Sequence, residues 1–198
     1  MEYLVNMTTH VPDGTTPVEV DEVRAREDEH SRELAAEGSL LRLWRPPLRP
    51  GEWRSLGLFT APDADELGKV LAAMPLRVWR TDEVTPLSQH PNDPDAEPAS
   101  GGIEFFAIFT QAVPDGTPGH EVAEAEAREA VRARELAGQG YLERLWVLPG
   151  EGRALGLYRA TDADELQTVL DALPLRPYLT VDVTPLAEHP SDPLHAGR

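Results

Sequence analysis

Glu27 lies in the run "VEVDEVRAREDEHSRELAAEG", Val18 to Gly38, at the centre of what should be the apolar face of a helix. At about 100° per residue, Val20, Val23, His30, Ser31 and Leu34 fall within roughly 60° of it. Asp21, Glu22, Asp28, Arg32 and Glu33 point to the solvated side. A carboxyl group held in such a poorly solvated place has its pKa raised by up to ~3–5 units, each about 1.4 kcal/mol, and becomes a general base for chemistry near neutral pH. Arg24 and Arg26 flank it and pull the other way, so an acid–base group and a satisfied ion pair both fit the pattern. The pattern recurs at Glu129 in "AREAVRAREL", with Glu126, Arg128 and Arg132 around it.

Other chemistries find little support. The chain has no cysteine, which removes disulfides, thiolate nucleophiles and cysteine zinc sites together. Lys69 is the only lysine against seventeen arginines, so Schiff-base chemistry would rest on it alone. No histidine or carboxylate spacing makes a metal site, and no Gly-rich phosphate loop or Ser-centred elbow occurs. His30 becomes Arg132 at the second occurrence, which argues against a metal-binding role, and His90 and His189 sit in "HP" turns that read as structural.

The elements that would position these glutamates come in two copies. "VPDGT" occurs at Val11 to Thr15 and at Val113 to Thr117, and the same 102-residue offset pairs "LRLW" with "ERLW". After the tryptophans the offset drops to 99, because "RPPLRPGEWR" is longer than "VLPGEGR", and "DADEL", "PLR", "VTPL" and "HP" then repeat in step. The chain is a tandem duplication, with residues 1–91 as repeat one, 103–198 as repeat two and the Pro-, acid- and Gly-rich stretch 92–102 as linker. In each copy a strand ("EYLVNMT" or "EFFAIFT") runs through a Pro-Asp-Gly turn into a long helix that Thr16 and Pro17 cap and start in the first copy. The helix ends at Gly38 or Gly140. Two strands, a shorter helix from "DADEL" and a last strand, "LRVWRTDEV" or "LRPYLTVDV", complete βαββαβ. The predicted class is α+β: two ferredoxin-like units packed as a pseudo-dimer, of the dimeric α+β barrel type.

Composition sets the limits. With 198 residues and 40% hydrophobic content the chain can bury packed cores. A formal charge of −17, split −9 and −8 between residues 1–99 and 100–198, excludes the cationic footprint that nucleic acid or an anionic membrane requires. No apolar run reaches the roughly 18 residues that span a bilayer, and the start "MEYLVNMTTH" lacks secretory features, so a cytoplasmic location is expected.

The run "EVRARE" with Gly38, then "LWR", "DADEL", "MPL" or "LPL", and the ending "VTPLxxHP" resemble the muconolactone delta-isomerase family, in order and twice. The resemblance implies a ferredoxin-like fold, no cofactor, subunits paired into larger homo-oligomers, and a reaction that moves a ring double bond by proton transfer on a small, anionic unsaturated lactone or acid. In that chemistry Glu27 and Glu129 are the proton-carrying bases. Arg24, Arg26, His30, Trp44, Arg128 and Trp146 are the candidate substrate-binding residues, the tryptophans as core or cleft wall. The sequence departs from the family where Arg24 replaces the usual lysine and where Arg42 and Arg144 replace histidine before "LW". The copies also differ, with Arg24 becoming Glu126 and Arg45 becoming Val147, so the two sites cannot be equivalent and the first should favour acids. A cyclase or dehydratase acting on a polyketide-like intermediate, and a non-catalytic protein that keeps the fold, stay open. A cavity reaching Glu27 favours an enzyme; a filled core there favours the scaffold.

Overall fold

The computed structural model describes residues 1–195. Its elements are β1 (Glu2–Thr9), α1 (Pro17–Ala36), β2 (Leu40–Arg45), β3 (Trp53–Thr60), α2 (Ala64–Ala73) and β4 (Arg80–Gln89), followed by β5 (Ile103–Gln111), α3 (Gly119–Gly138), β6 (Leu142–Val147), β7 (Arg153–Ala160), α4 (Ala163–Asp171) and β8 (Leu179–Glu188). The twofold βαββαβ order predicted from the repeat is present. Among the described residues no helix is long and apolar enough to cross a membrane.

Helix ends follow their local chemistry. Thr16 caps α1 in a reciprocal box: its hydroxyl accepts from the Glu19 amide, and Glu19 accepts from the Thr16 amide. Asp63 and Asp162 cap α2 and α4 one-sidedly, accepting from the amides of Glu66 and Glu165 at 2.9 Å. Past α1 and α3 the chain turns at Gly38 and Gly140, both with positive φ, a conformation that glycine adopts without strain.

Two compact units emerge: Met1–Leu87 with Ala187 onward, and Ser88–Leu186. In the first, β4, β1, β3 and β2 form an antiparallel sheet in that order. Tyr3, Val5, Met7, Leu40, Leu43 and Phe59 of this sheet pack against Leu34 of α1 and Leu67 and Leu71 of α2. The second unit repeats the order with β8, β5, β7 and β6 and packs Phe105, Phe109, Leu142 and Tyr158 against Leu136 of α3 and Leu166 and Leu170 of α4.

The unit boundaries show an exchange of strand ends. β8 pairs with β5 over most of its length, but its last residues, Ala187 and Glu188, pair with Arg45 and Trp44 of β2 in the first unit. The end of β4 does the converse, with Ser88 and Gln89 opposite Val147 and Trp146 of β6. The turns that follow are latched by an aspartate. Asp192 accepts from the Leu43 amide at 3.0 Å and pairs with buried Arg42, while Asp93 accepts from the Leu145 amide at 2.8 Å and pairs with Arg144. Each histidine-proline turn is thus delivered to the unit built from the other repeat.

One boundary differs from the pattern reading. The segment read as the start of the last strand, from Leu76 or Leu175, is a short 3₁₀ turn over Pro75–Val78 and Arg176–Tyr178, and the strands begin at Arg80 and Leu179. The proline after Met74 or Leu173 cannot extend a ladder, so the chain turns once more before pairing. That turn aims a backbone amide at each glutamate.

Candidate functional site

Glu27 occupies the centre of the buried stripe of α1, between Val23 and Ser31, with Leu34 one turn further. Its carboxylate is fixed from two sides: Oε2 accepts from the Leu76 amide at 2.7 Å, and Oε1 from Arg80 Nη1 at 2.9 Å. Arg80 is buried and also donates to Asp82 at 2.6 Å and to the Leu71 carbonyl at 3.3 Å. Burial raises the pKa of Glu27, and this outweighs the opposing pull of the Leu76 amide, Arg80 and His30.

This carboxylate lies on the wall of a cavity of about 300 Å³, which is open rather than filled. Arg24, Arg45 and Arg80 face it against the acids Glu27 and Asp28, and the Arg24 guanidinium stacks 4.6 Å over the ring of Trp53. His189, brought in by the exchanged strand end, completes one side. Its Nδ1 accepts from the Ser191 amide at 3.2 Å, and burial with the nearby Arg45 charge pushes its pKa down to about 4. The ring is therefore neutral at pH 7, and its proton resides on Nε2.

Glu129 repeats half of this arrangement. Its Oε2 accepts from the Leu175 amide at 2.9 Å, the counterpart of the Leu76 bond, and burial raises its pKa. Among the described residues no arginine donates to it, Leu179 standing where Arg80 does and Val181 where Asp82 does; the Arg132 charge acts on it from nearby, lowering its pKa against burial. Its cavity is about 580 Å³, lined largely by apolar side chains, with His90 from the other exchanged turn.

The structure brings some of the sequence candidates together and separates others. Glu27 with Arg24, and Glu129, line their cavities. Arg26 and Arg128 do not: one residue before the glutamate, each is rotated by a full helical step and lies exposed. His30 and Arg132 lie half-buried beside the cavities and pair with Glu33 and Glu135 at 3.1 Å. Trp44 and Trp146 are 0% and 1% exposed and line neither cavity; the guanidinium groups of Arg42 and Arg144 stack on them at 4.8 Å. Of the two readings, core or cleft wall, the burial of the tryptophans matches the core. Asp28 is exposed, as expected, and it also borders the first cavity and accepts from the Ser191 hydroxyl at 2.7 Å.

Sequence reasoning missed Arg80 and His189. Arg80 was hidden inside a presumed strand, and its replacement by Leu179 was the signal that could have exposed it. His189 is 162 residues from Glu27 in the chain, and no local pattern could have placed it there. Among the described residues no group of three or more His, Asp or Glu side chains is placed to hold a metal ion.

A buried carboxyl of raised pKa thus faces a cavity lined by three arginines. The wider comparisons agree on fold and narrow the lineage. A heme-binding protein from Thermus thermophilus aligns over 96% of this chain and 93% of its own length with TM-score 0.62 at 13% identity, a likeness of dimeric α+β barrel fold alone. The family model for muconolactone delta-isomerase matches residues 1–93 and again 103–192, and the chain belongs to that family as a tandem duplication. The muconolactone delta-isomerase of Cupriavidus pinatubonensis is 37% identical over 79 residues, 40% of this chain and 86% of that protein. Muconolactone delta-isomerase 1 of Acinetobacter lwoffii is 37% identical over 93 residues, 46% of this chain and 93% of that protein.

Proposed function

We propose that this protein is a cofactor-independent isomerase that moves a double bond in a small, anionic unsaturated lactone, as the names of its relatives suggest, and that the reaction runs in the Glu27 cavity. The observation that carries this reading is the open cavity at Glu27, where a buried carboxylate is held by one amide and one arginine while two further arginines, Arg24 and Arg45, line the same wall.

The division of labour follows from the geometry. Arg80 is committed to Glu27 and Asp82, so it orients the base rather than the ligand. Arg24 and Arg45 hold the substrate carboxylate, Arg24 being stiffened by its stacking on Trp53. Glu27 takes the acidic ring proton; the electron pair left behind spreads into a dienolate, and the same carboxyl returns the proton to the carbon at the other end, so nothing is consumed. His189 presents a neutral N–H donor to the cavity, suited to the oxygen on which enolate charge grows. A raised pKa keeps Glu27 basic enough to take the proton and acidic enough to return it.

The test is turnover of muconolactone followed by proton NMR in deuterated water. Isomerisation with the ring proton partly retained or exchanged at the two carbons is expected from the native protein, and Glu27→Gln should lower both by ~10²–10⁴-fold. A protein that folds normally, binds muconolactone and neither isomerises it nor exchanges its protons would overturn the assignment.

A further inference from the structure

The second cavity has kept its glutamate and lost the machinery for anions. Aligning the repeats, Arg24 becomes Glu126, Arg45 becomes Val147 and Arg80 becomes Leu179, so every arginine on the first cavity's wall is replaced. Asp28 and Ser31 also become Ala130 and Ala133, and Ser55 becomes Ala154. Three arginines oppose two acids in the first cavity; one, Arg153, opposes Glu126 and Glu129 in the second. Arg153 is exposed and donates to the Pro149 carbonyl at 3.2 Å. An anion entering this cavity would lose its hydration and meet two carboxyl groups.

The cavity has also gained a polar group. Tyr158 replaces Phe59, while Phe105 replaces Tyr3 on the paired strand, so the phenol has crossed from β1 to the β7 position. Gly156 makes room for its ring, where any Cβ would strike Tyr158. Burial and the nearby Glu129 push the phenol pKa up, so it stays a donor. The Tyr158 hydroxyl makes no hydrogen bond among the described residues, and the Glu129 carboxyl uses only Oε2. An unspent hydroxyl donor and an unspent carboxyl oxygen therefore face a cavity of about 580 Å³, nearly twice the volume of the first.

We infer that the second-repeat cavity is a separate binding site for an uncharged ring compound bearing a carbonyl or hydroxyl oxygen, gripped by Tyr158 and Glu129 and packed against Phe109, Leu136, Leu145 and Leu179. Apolar walls supply the affinity, and the two polar groups orient the oxygen. The inference does not depend on the reaction proposed for Glu27, because it rests on the walls of a different cavity.

Calorimetric titration of the full chain with three probes tests it: coumarin, an uncharged bicyclic lactone; coumarin-3-carboxylate, which adds an anion; and benzylammonium, a ring-bearing cation. Coumarin should bind, and at this cavity should exceed each charged probe by roughly tenfold or more. Ala130→Trp, which fills the cavity, should remove coumarin binding while leaving muconolactone turnover at Glu27 unchanged. Glu126→Arg with Val147→Arg, which restores the two arginines assigned to the anion in the first repeat, should shift preference from coumarin to its carboxylate. Thermal melts accompany both variants, and the second serves if the first unfolds. Absence of coumarin binding, coumarin binding indifferent to both variants, or tighter binding of either charged probe at this cavity would overturn the inference.

Discussion

The two repeats build the same sheet, place a glutamate at the same helical step and aim the amide of the same leucine at it, yet the two carboxyls meet different surroundings. Around Glu27 burial is opposed, though not cancelled, by the Leu76 amide and by Arg80, itself braced by Asp82 and the Leu71 carbonyl. Around Glu129 the brace is gone as a unit, with Leu179 and Val181 in place of the arginine and its partner. The paired replacement has a physical reason: losing Arg80 alone would strand two buried carboxylates, while losing Arg80 and Asp82 together strands one, Glu129, whose pKa burial raises. A duplicated fold thus preserves backbone geometry while its buried charges change in sets.

The largest expected effect tests whether the glutamates are functionally unequal. Glu27→Gln should lower muconolactone turnover by ~10²–10⁴-fold, the usual loss on removing a general base, with the melting temperature retained. Glu129→Gln should leave that turnover within roughly twofold, and equal losses in steady-state assays would erase the distinction between the cavities.

Next comes stability. Arg80→Met leaves Glu27 and Asp82 buried without their guanidinium and should destabilise the protein by about 3 kcal/mol in denaturant titration at pH 8. Leu179→Met should cost less than about 1.5 kcal/mol. The Arg80→Met loss should shrink on acidification, because burial raises the pKa of Glu27 in the fold. A carboxyl with a raised folded pKa contributes stability that is full below its unfolded value and fades as pH climbs through the folded one. A loss independent of pH would mean that Arg80 acts through packing alone.

A smaller effect belongs to ligand capture. Arg45→Met should raise KM for muconolactone roughly tenfold with little change in kcat, since it removes a contact made equally before and during the reaction. An unchanged KM would take Arg45 out of the anion site and reduce the contrast with Val147.

The smallest effect concerns the exchanged histidines. His189 has its folded pKa depressed to about 4, so its stabilising contribution is present above pH 6.5 and is lost as pH falls through 4. His189→Phe should flatten the decline of stability over that window, while His90→Phe, whose parent is depressed by burial but opposed by Asp93, should flatten it less. Identical pH curves for the two variants would show that the turns are equivalent despite their different neighbours.

Much of the fold could be read locally. The Thr16–Glu19 box, the Asp63 and Asp162 caps and the glycines after the long helices are short-range signals that act through the nearest backbone amides, and the structure realises each of them. Glu27 was legible for a similar reason, since a charged residue in a stripe of period 3.6 stands out without knowing what lies opposite. For Trp44 the sequence leaves core and cleft wall open, because large aromatics serve both and sequence does not say which side of β2 is filled.

The sequence by itself determined the duplication, the βαββαβ order, the helix carrying each glutamate and the inequality of the repeats, because these follow from chain-local periodicity and from comparing one half with the other. Only the tertiary structure decided which arginine holds Glu27, that each cavity receives a histidine from the other repeat, and that Trp44 and Trp146 are spent on the core. Those outcomes depend on strand ends that cross from one unit to the other and on a 3₁₀ turn that shifts β4 to begin at Arg80, and long-range pairing of this kind is set by backbone hydrogen bonds and packing that no local pattern of side chains encodes.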